Sequence, residues 1–219
     1  MSSTRAARRS RKDDILRCFA ELVAERGYDA VSLRDIAAKL EMSKGTILHH
    51  FGTKERLLEQ VHSDYMRRRL SEARRILDEL DAPVDQARAF VYQLMYAQAE
   101  DRAATVAFAR EIVRFASEPL MADVRAMRDE YSGMVRDTIA RGVESGQFAA
   151  VDPSVVALQV FGMCNWSWTW YRPHGPRTAE EIAEIFCATL FDGLLSTRRT
   201  RRRAGVAELV RAIMQESPD

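Results

Sequence analysis

The spacing of apolar residues predicts helices along almost the whole chain. Ile15, Phe19 and Leu22 recur at i, i+4 and i+7, the spacing that places side chains on one face of a helix. Similar spacing recurs as far as the 180s, and no stretch shows the sustained alternation of apolar and polar residues expected of a half-buried strand. We therefore predict an all-α fold of about nine helices.

Residues that cap helix ends mark the predicted boundaries. Gly27 directly follows the first apolar face and is predicted to end that helix. Ser32 and Asp35 have the spacing of a capping box, in which two side chains bond to each other's backbone N–H groups. Further predicted start signals are Ser43, Thr53, Pro83, Asp152–Pro153 and Thr178 with Glu181. The eighth helix is predicted to run to Arg172–Pro173.

The second and third predicted helices are short and nearly adjacent, which is typical of a helix-turn-helix. Only Glu41 and Met42 separate them. The helix that follows Ser43 presents free backbone N–H groups at its N-terminus, where a phosphate binds well. Gly45 lets the backbone approach a ligand closely, and Thr46 offers a hydroxyl and a methyl group to base edges. The segment therefore predicts a DNA-binding surface.

The charge distribution supports this interpretation. The 219 residues carry a net charge of only +1, but residues 1–69 hold 15 Lys and Arg against 10 Asp and Glu, which leaves the remainder net acidic. A basic N-terminal part on a mildly acidic body is typical of a nucleic-acid-binding module joined to a body with another task. The alternative is that the arginines before residue 13 form a basic tail that only aids solubility.

Four segments of residues 10–58 form a recognisable set: ERGY (25–28), SLRDIA (32–37), SKGTI (43–47) and HHFGTKERLL (49–58). Together they resemble the DNA-binding domain of the TetR family of transcriptional repressors. The resemblance implies a three-helix head whose recognition helix spans 43–49. It implies DNA contacts from Ser32, Arg34, Ser43, Lys44, Gly45, Thr46, Leu48, His49 and Lys54. Leu48 departs from the family, which usually has an aromatic residue at this place.

The family resemblance also implies a helical regulatory body that binds a small ligand and forms a homodimer through its last two helices. Such a dimer places two recognition helices about 34–36 Å apart and predicts a near-palindromic operator in double-stranded DNA. The predicted dimer interface consists of Phe161, Trp168, Ile182, Phe186, Thr189, Leu190 and Gly193. The alternative is that these residues belong to the core of a single bundle.

Aromatic and methionine side chains of the body predict a mainly apolar cavity for a small hydrophobic effector. Trp166 and Trp170 are spaced to share a helical face. The predicted ligand-binding residues are Phe90, Leu94, Met95, Gln98, Phe115, Tyr131, Met134, Met163, Trp166, Trp170 and Arg172. Segments 168–173, 175–176 and 178–182 resemble the branch of the family that responds to acyl-coenzyme A thioesters. Ordinary core packing is the alternative for each of these side chains.

Several classes of function are disfavoured. No catalytic triad, paired-carboxylate motif, glycine-rich phosphate loop or metal-ligand spacing stands out, so we do not expect an enzyme, a metal site or a cofactor. No apolar run is long enough to cross a membrane, and three scattered cysteines favour a reduced, cytoplasmic setting. We divide the chain into a DNA-binding part (1–58), a ligand-binding and dimerisation part (59–197) and a basic, amphipathic tail (198–219). The alternative function, suggested by that tail, is a helical adaptor or a peripheral membrane-surface protein.

Overall fold

Helices make up most of the protein, whose computed structural model describes residues 11–193. The predicted all-α fold is confirmed by α1 (Arg11–Arg26), α2 (Leu33–Lys39), α3 (Lys44–Phe51), α4 (Lys54–Glu79), α5 (Pro83–Glu100), α6 (Arg102–Phe115), α7 (Ala122–Glu144), α8 (Pro153–Trp166) and α9 (Ala179–Cys187). Short 3₁₀ turns occur at Pro119–Met121 and Ser167–Thr169, and a π-helical turn at Ala188–Asp192 continues α9. The predicted basic run and amphipathic helix at 198–219 lie outside the described residues.

Local capping explains where these helices begin and end. The Ser32 N–H donates to Asp35 Oδ2 (2.7 Å) and the Asp35 N–H donates to Ser32 Oγ (3.3 Å), which completes the predicted capping box of α2. Thr178 and Glu181 form the same arrangement at α9. Gly27 has a φ of +82°, a left-handed conformation that ends α1 at low steric cost because glycine has no Cβ.

Helices α1 to α3 share one apolar core with the first turns of α4. Ile15 and Phe19 on the predicted face of α1 are fully buried. Ile36 of α2, Ile47 of α3 and Leu57 of α4 complete the same core. Burying each such side chain contributes roughly 1.5–3 kcal/mol. The head therefore holds α3 in one orientation relative to α1 and α4.

The body is a helical bundle built around α5, which packs against α4, α6, α7, α8 and α9. Phe90 and Met95 of α5 are fully buried, and Val124 and Ile139 of α7 are buried in the same bundle. Helix α4 contacts α1 and α3 of the head and also α7 of the body. One continuous helix therefore joins the head to the body.

Helix α8 is shorter than predicted. It ends at Trp166, several residues before the predicted end, and a 3₁₀ turn follows. Ser167 Oγ donates to the Cys164 carbonyl oxygen (2.6 Å), a local side-chain bond that competes with continuation of the helix. Trp170 does not share a helical face with Trp166, and the prediction that it would was wrong. Its ring instead packs edge-on against Phe186, with 6.3 Å between centroids.

Candidate DNA-binding surface and effector cleft

The N-terminal turn of α3 presents the polar residues that the sequence predicts to contact DNA. Ser43 caps this helix by accepting from the Thr46 N–H (3.0 Å), and the two hydroxyl oxygens are 2.9 Å apart. Ile47 is buried in the head core. The exposed residues of the helix are Lys44, Gly45, Leu48 and His49. A polar, accessible helix N-terminus is suited to a phosphate or a base edge, and contact of each residue with DNA stays a prediction.

Three cations of α2, α3 and α4 are exposed. Arg34 lies in the first turn of α2, Lys44 in the first turn of α3 and Arg56 in the first turn of α4. None of them takes part in an ion pair within residues 11–193, so their charges are available to phosphates. Arg56 was not among the predicted DNA contacts, although its place two residues after Lys54 was a usable signal. Ser32, the predicted backbone contact before Arg34, is also exposed.

Lys54 occupies a different environment from the exposed cations. Its Nζ donates to the Tyr28 carbonyl oxygen (2.6 Å) and lies 3.9 Å from the centroid of the Tyr28 ring. Partial burial lowers the pKa of the Lys54 ammonium. Lys54 thus stabilises the head itself, and the predicted phosphate contact requires that the side chain leave these partners or reach DNA while keeping them.

Tyr28 connects the head to α6 of the body. Its N–H donates to Glu111 Oε1 (2.9 Å), a buried bond, and its ring packs edge-on against Phe115 with 4.9 Å between centroids. Arg110 Nη1 donates to the Ala24 carbonyl oxygen (3.0 Å) at the end of α1. Phe115, a predicted ligand-binding residue, therefore lies at this junction. Two neighbouring side chains of α6 hold two backbone groups of the head.

A cleft of about 670 Å³ opens among α4, α5, α6, α7 and α8. This volume lies within the range of sites that hold small organic ligands. Its aromatic walls are formed by Tyr65, Phe108, Phe161, Trp166 and Trp168. Its charged and polar lining residues are Arg110, Glu111, Arg128, Gln98, Thr105 and Asn165. The cleft therefore combines apolar surface with a few polar groups, as the sequence predicts for an effector site.

The predicted ligand-binding residues are divided between this cleft and other places. Gln98 and Trp166 line the cleft. Buried in the core of the described residues are Phe90, Leu94, Met95 and Tyr131, while Met134 and Met163 are half-buried and Trp170 and Arg172 are exposed. Phe161 and Trp168, predicted for the dimer interface, also line the cleft. Helical spacing shows which side of a helix is buried, but it does not show where neighbouring helices leave a gap.

A second groove of about 800 Å³ lies between α4 and α5. Arg68 pairs with Asp101 (2.8 Å) and Arg69 pairs with Glu72 (2.8 Å) along its wall. Its aromatic residues include Tyr92. Because its wall is rich in paired charges, this groove suits an apolar effector less well than the aromatic cleft does.

Helices α8 and α9 each expose apolar side chains. On α8, Leu158 is 68% exposed, Trp166 is 65% exposed and Val155 is also exposed, and Ile185 is exposed on α9. The opposite side of α8 is buried through Ala157, Val160 and Cys164. A helix that is apolar around most of its circumference is normally covered on all sides. This surface, which we call the α8–α9 face, therefore has the character of an interaction surface.

The predicted dimer residues lie mostly beside this face rather than on it. Ile182 is buried on the side of α9 that packs against α5. Phe186, Thr189 and Leu190 are half-buried, and Gly193 is exposed. Val155 and Leu158 of this face were not among the predicted interface residues. Their signal was the apolar character of α8 on both sides.

Residues 11–193 contain neither a membrane-spanning helix nor a cluster of metal ligands. No helix there is both long enough and apolar enough to cross a bilayer. No group of three or more His, Cys, Asp or Glu side chains in the same range is arranged to hold a metal ion.

Known protein families match both parts of the chain. Residues 15–61 match the model of the bacterial regulatory proteins of the tetR family, and residues 80–194 match that of the tetracyclin repressor-like C-terminal domain. The HTH-type transcriptional repressor KstR2 of Mycolicibacterium smegmatis is 27% identical over 190 residues, which cover 86% of this chain and 93% of that protein.

Solved structures show the same similarity in three dimensions. PfmR, a TetR family transcriptional regulator from Thermus thermophilus, aligns with a TM-score of 0.77 and 31% identity over 83% of this chain and 98% of that one. AibR in complex with isovaleryl coenzyme A and operator DNA aligns with a TM-score of 0.78 and 26% identity over 84% of this chain and 100% of that one. Since the family models match the head and the body separately, the chain belongs to the TetR family of DNA-binding transcriptional regulators.

Proposed function

We propose that the protein is a homodimeric repressor that binds a near-palindromic operator and releases it when a small hydrophobic effector fills the cleft. One observation carries this proposal: Arg110 and Glu111 of α6 line the cleft, and the same two side chains hold Ala24 and Tyr28 of the head. A ligand that displaces either side chain therefore breaks a hydrogen bond between α6 and the head. We place this activity in the cytoplasm, where the operator DNA is.

The mechanism is an equilibrium between two positions of α6 and the head. A ligand shifts this equilibrium only if it binds one position better than the other. A preference of about 3 kcal/mol changes operator affinity by roughly 150-fold. In the effector-bound position, the two heads of the dimer no longer match successive major grooves, which lie about 34–36 Å apart on one side of the duplex.

We propose an acyl-coenzyme A thioester as the effector. The aromatic walls of the cleft suit an apolar acyl chain. Arg110 and Arg128 line the same cleft, and guanidinium groups suit the phosphates of coenzyme A. Arg110 also lies 5.8 Å from the Trp168 ring centroid, so it is held at the wall. The structure of AibR with isovaleryl coenzyme A supports this choice of class.

Replacing Glu111 with alanine is expected to weaken the coupling between the cleft and the head. The Tyr28 N–H loses its buried acceptor, which costs about 1–3 kcal/mol. We expect operator affinity to fall roughly tenfold, and addition of acyl-coenzyme A to change it less than in the unmodified protein. Fluorescence anisotropy of labelled DNA from upstream of the protein's own gene measures both quantities, with isovaleryl coenzyme A and a long-chain thioester as probes.

Glu144→Ala is the matched control, because Glu144 is an exposed carboxylate at the end of α7. It should leave operator affinity and the response to both thioesters unchanged. An unchanged response in Glu111→Ala would show that α6 does not transmit through this bond.

Replacing Thr46 and Lys44 separately is expected to distinguish base contact from phosphate contact. Lys44→Ala should weaken binding to operator and to random DNA equally and reduce the salt slope of log Kd by about one. Thr46→Ala should weaken operator binding by about 1–3 kcal/mol and relax base preference, because it removes a hydroxyl and a methyl group from the helix edge. Equal losses on both DNAs for both variants would contradict these roles.

Lys54→Ala provides a different test, because Lys54 also stabilises the head. We expect weaker binding to all sequences together with a lower free energy of unfolding, since the bond to the Tyr28 carbonyl oxygen is lost. Urea unfolding of the same samples separates the two effects. Lys44 is the suitable comparison, because it has no ion-pair partner within residues 11–193.

A further inference from the structure

The side-chain amide of Gln98 lies at the inner wall of the cleft. Its nitrogen is hydrogen-bonded, whereas its oxygen has no hydrogen-bond partner. Gln98 belongs to α5 and is only 1% exposed. Its Nε2 donates to the Cys164 carbonyl oxygen of α8 (3.1 Å). A carbonyl oxygen can only accept a hydrogen bond, so the nitrogen end of the amide must face α8. The orientation of the oxygen end follows from this bond.

The oxygen end of this amide has no hydrogen-bond partner. Gln98 Oε1 is buried and accepts from no donor within the described part of the chain. The hydroxyl of Thr105, which lines the same cleft, already donates to the Ala97 carbonyl oxygen (2.9 Å). A ligand that fills the cleft must therefore either supply a donor to Oε1 or leave this acceptor unpaired in an apolar contact. Only the first case gains a hydrogen bond, because Oε1 is already buried and unpaired before any ligand binds.

From this geometry we infer that the effector carries a hydroxyl group on its apolar part, which donates to Gln98 Oε1. This inference rests on the proposed effector role of the cleft and specifies the ligand class as a hydroxylated acyl compound. A plain hydrocarbon or a ketone offers no donor. A cationic donor is disfavoured, because Arg110 and Arg128 line the same cleft and repel a positive charge.

Matched pairs of ligands test the inference. The probes are a saturated fatty acid, its β-hydroxy and ω-hydroxy derivatives of equal chain length, and the coenzyme A thioesters of all three. Binding to the full chain is followed by the fluorescence of Trp166 and Trp168, which line the cleft. We expect at least one hydroxylated probe to bind roughly tenfold more tightly than its saturated counterpart. In Gln98→Leu this ratio should fall to about one, with the saturated probe bound as well as before or better.

Each variant is judged by the ratio of its affinities for the hydroxylated and the saturated probe, because a substitution that weakens the binding of both probes equally leaves this ratio unchanged. A matched control tests whether the effect is specific to Gln98. Gln147→Leu makes the same change at an exposed residue outside the cleft, so its ratio should remain that of the unmodified protein. A ratio near one for every hydroxylated probe in the unmodified protein would overturn the inference, even if Gln98→Leu failed to fold. An equal preference in the unmodified protein and in Gln98→Leu would overturn it too.

Operator anisotropy on the same samples separates this inference from the proposed function. If a hydroxylated probe binds with a preference that depends on Gln98 but does not release the operator, the ligand class stands and the effector role fails. If saturated probes bind and release the operator without any such preference, the effector role stands and the assignment of Gln98 fails.

Discussion

Replacing Leu158 with glutamate is expected to leave the protein monomeric at micromolar concentration and to reduce operator affinity by roughly 100-fold or more. Leu158 is the most exposed large side chain of the α8–α9 face, which we propose as the dimer interface. A two-fold interface uses the same patch twice, so one substitution buries two unpaired carboxylates. A monomer contacts only one half-site and loses the second set of contacts. Sedimentation measures the first effect and DNA anisotropy the second.

Ser71→Glu provides the control for the added charge. Ser71 is exposed on α4, which does not belong to the α8–α9 face, so this variant should remain dimeric and bind operator normally. A dimeric Leu158→Glu variant with full operator affinity would place the subunit contact elsewhere on the molecule.

Acid is expected to destabilise the protein through His62, by about 3 kcal/mol between about pH 7 and pH 4. His62 is fully buried in α4 with its ring 5.1 Å from that of Phe108. Burial lowers its pKa from 6.5 to about 4. In the unfolded chain, His62 therefore takes up a proton as the pH falls through about 6.5. In the folded protein, His62 stays neutral until about pH 4. Each unit of this pKa difference lowers the free energy of unfolding by about 1.4 kcal/mol.

The measurement is the free energy of unfolding in urea at a series of pH values. His62→Phe keeps a ring in this place without a titrating group, so stability should change much less between about pH 7 and pH 4. Should that variant fold poorly, His62→Gln serves the same purpose. His174→Gln is the control, because His174 is exposed. Its free energy of unfolding should fall between about pH 7 and pH 4 as much as that of the unmodified protein. An identical pH profile in all three variants and the unmodified protein would exclude His62 as the cause.

Helix ends and the head core could be predicted because they depend on neighbours in sequence. Ser32 reaches Asp35, and Thr178 reaches Glu181, within a single turn of helix. The family resemblance added the identity of the recognition helix, which composition and spacing do not supply. The end of α8 was missed because the bond from Ser167 Oγ to a carbonyl oxygen competes with the helix in a way that apolar spacing does not reveal.

The functional surfaces of the body were harder to predict. Helix α8 is apolar on its inner and outer sides, so spacing does not show that Leu158 is exposed whereas Val160 is buried. Met95 and Gln98 lie on one helix, yet Met95 belongs to the core and Gln98 to the cleft wall. Which of two buried side chains lines a gap depends on how the facing helices pack, and that packing involves residues far apart in the chain.

The sequence by itself determined the all-α fold, most helix ends, the DNA-binding head and membership of the TetR family, because these follow from local hydrogen bonds, helical spacing and four short segments close together in the chain. Only the tertiary structure decided that Lys54 is held by Tyr28, that Arg110 and Glu111 serve both the cleft and the head, and that Gln98 keeps an unpaired acceptor. These features arise from contacts between distant segments, whose distances and unsatisfied hydrogen bonds exist only once the helices have packed together.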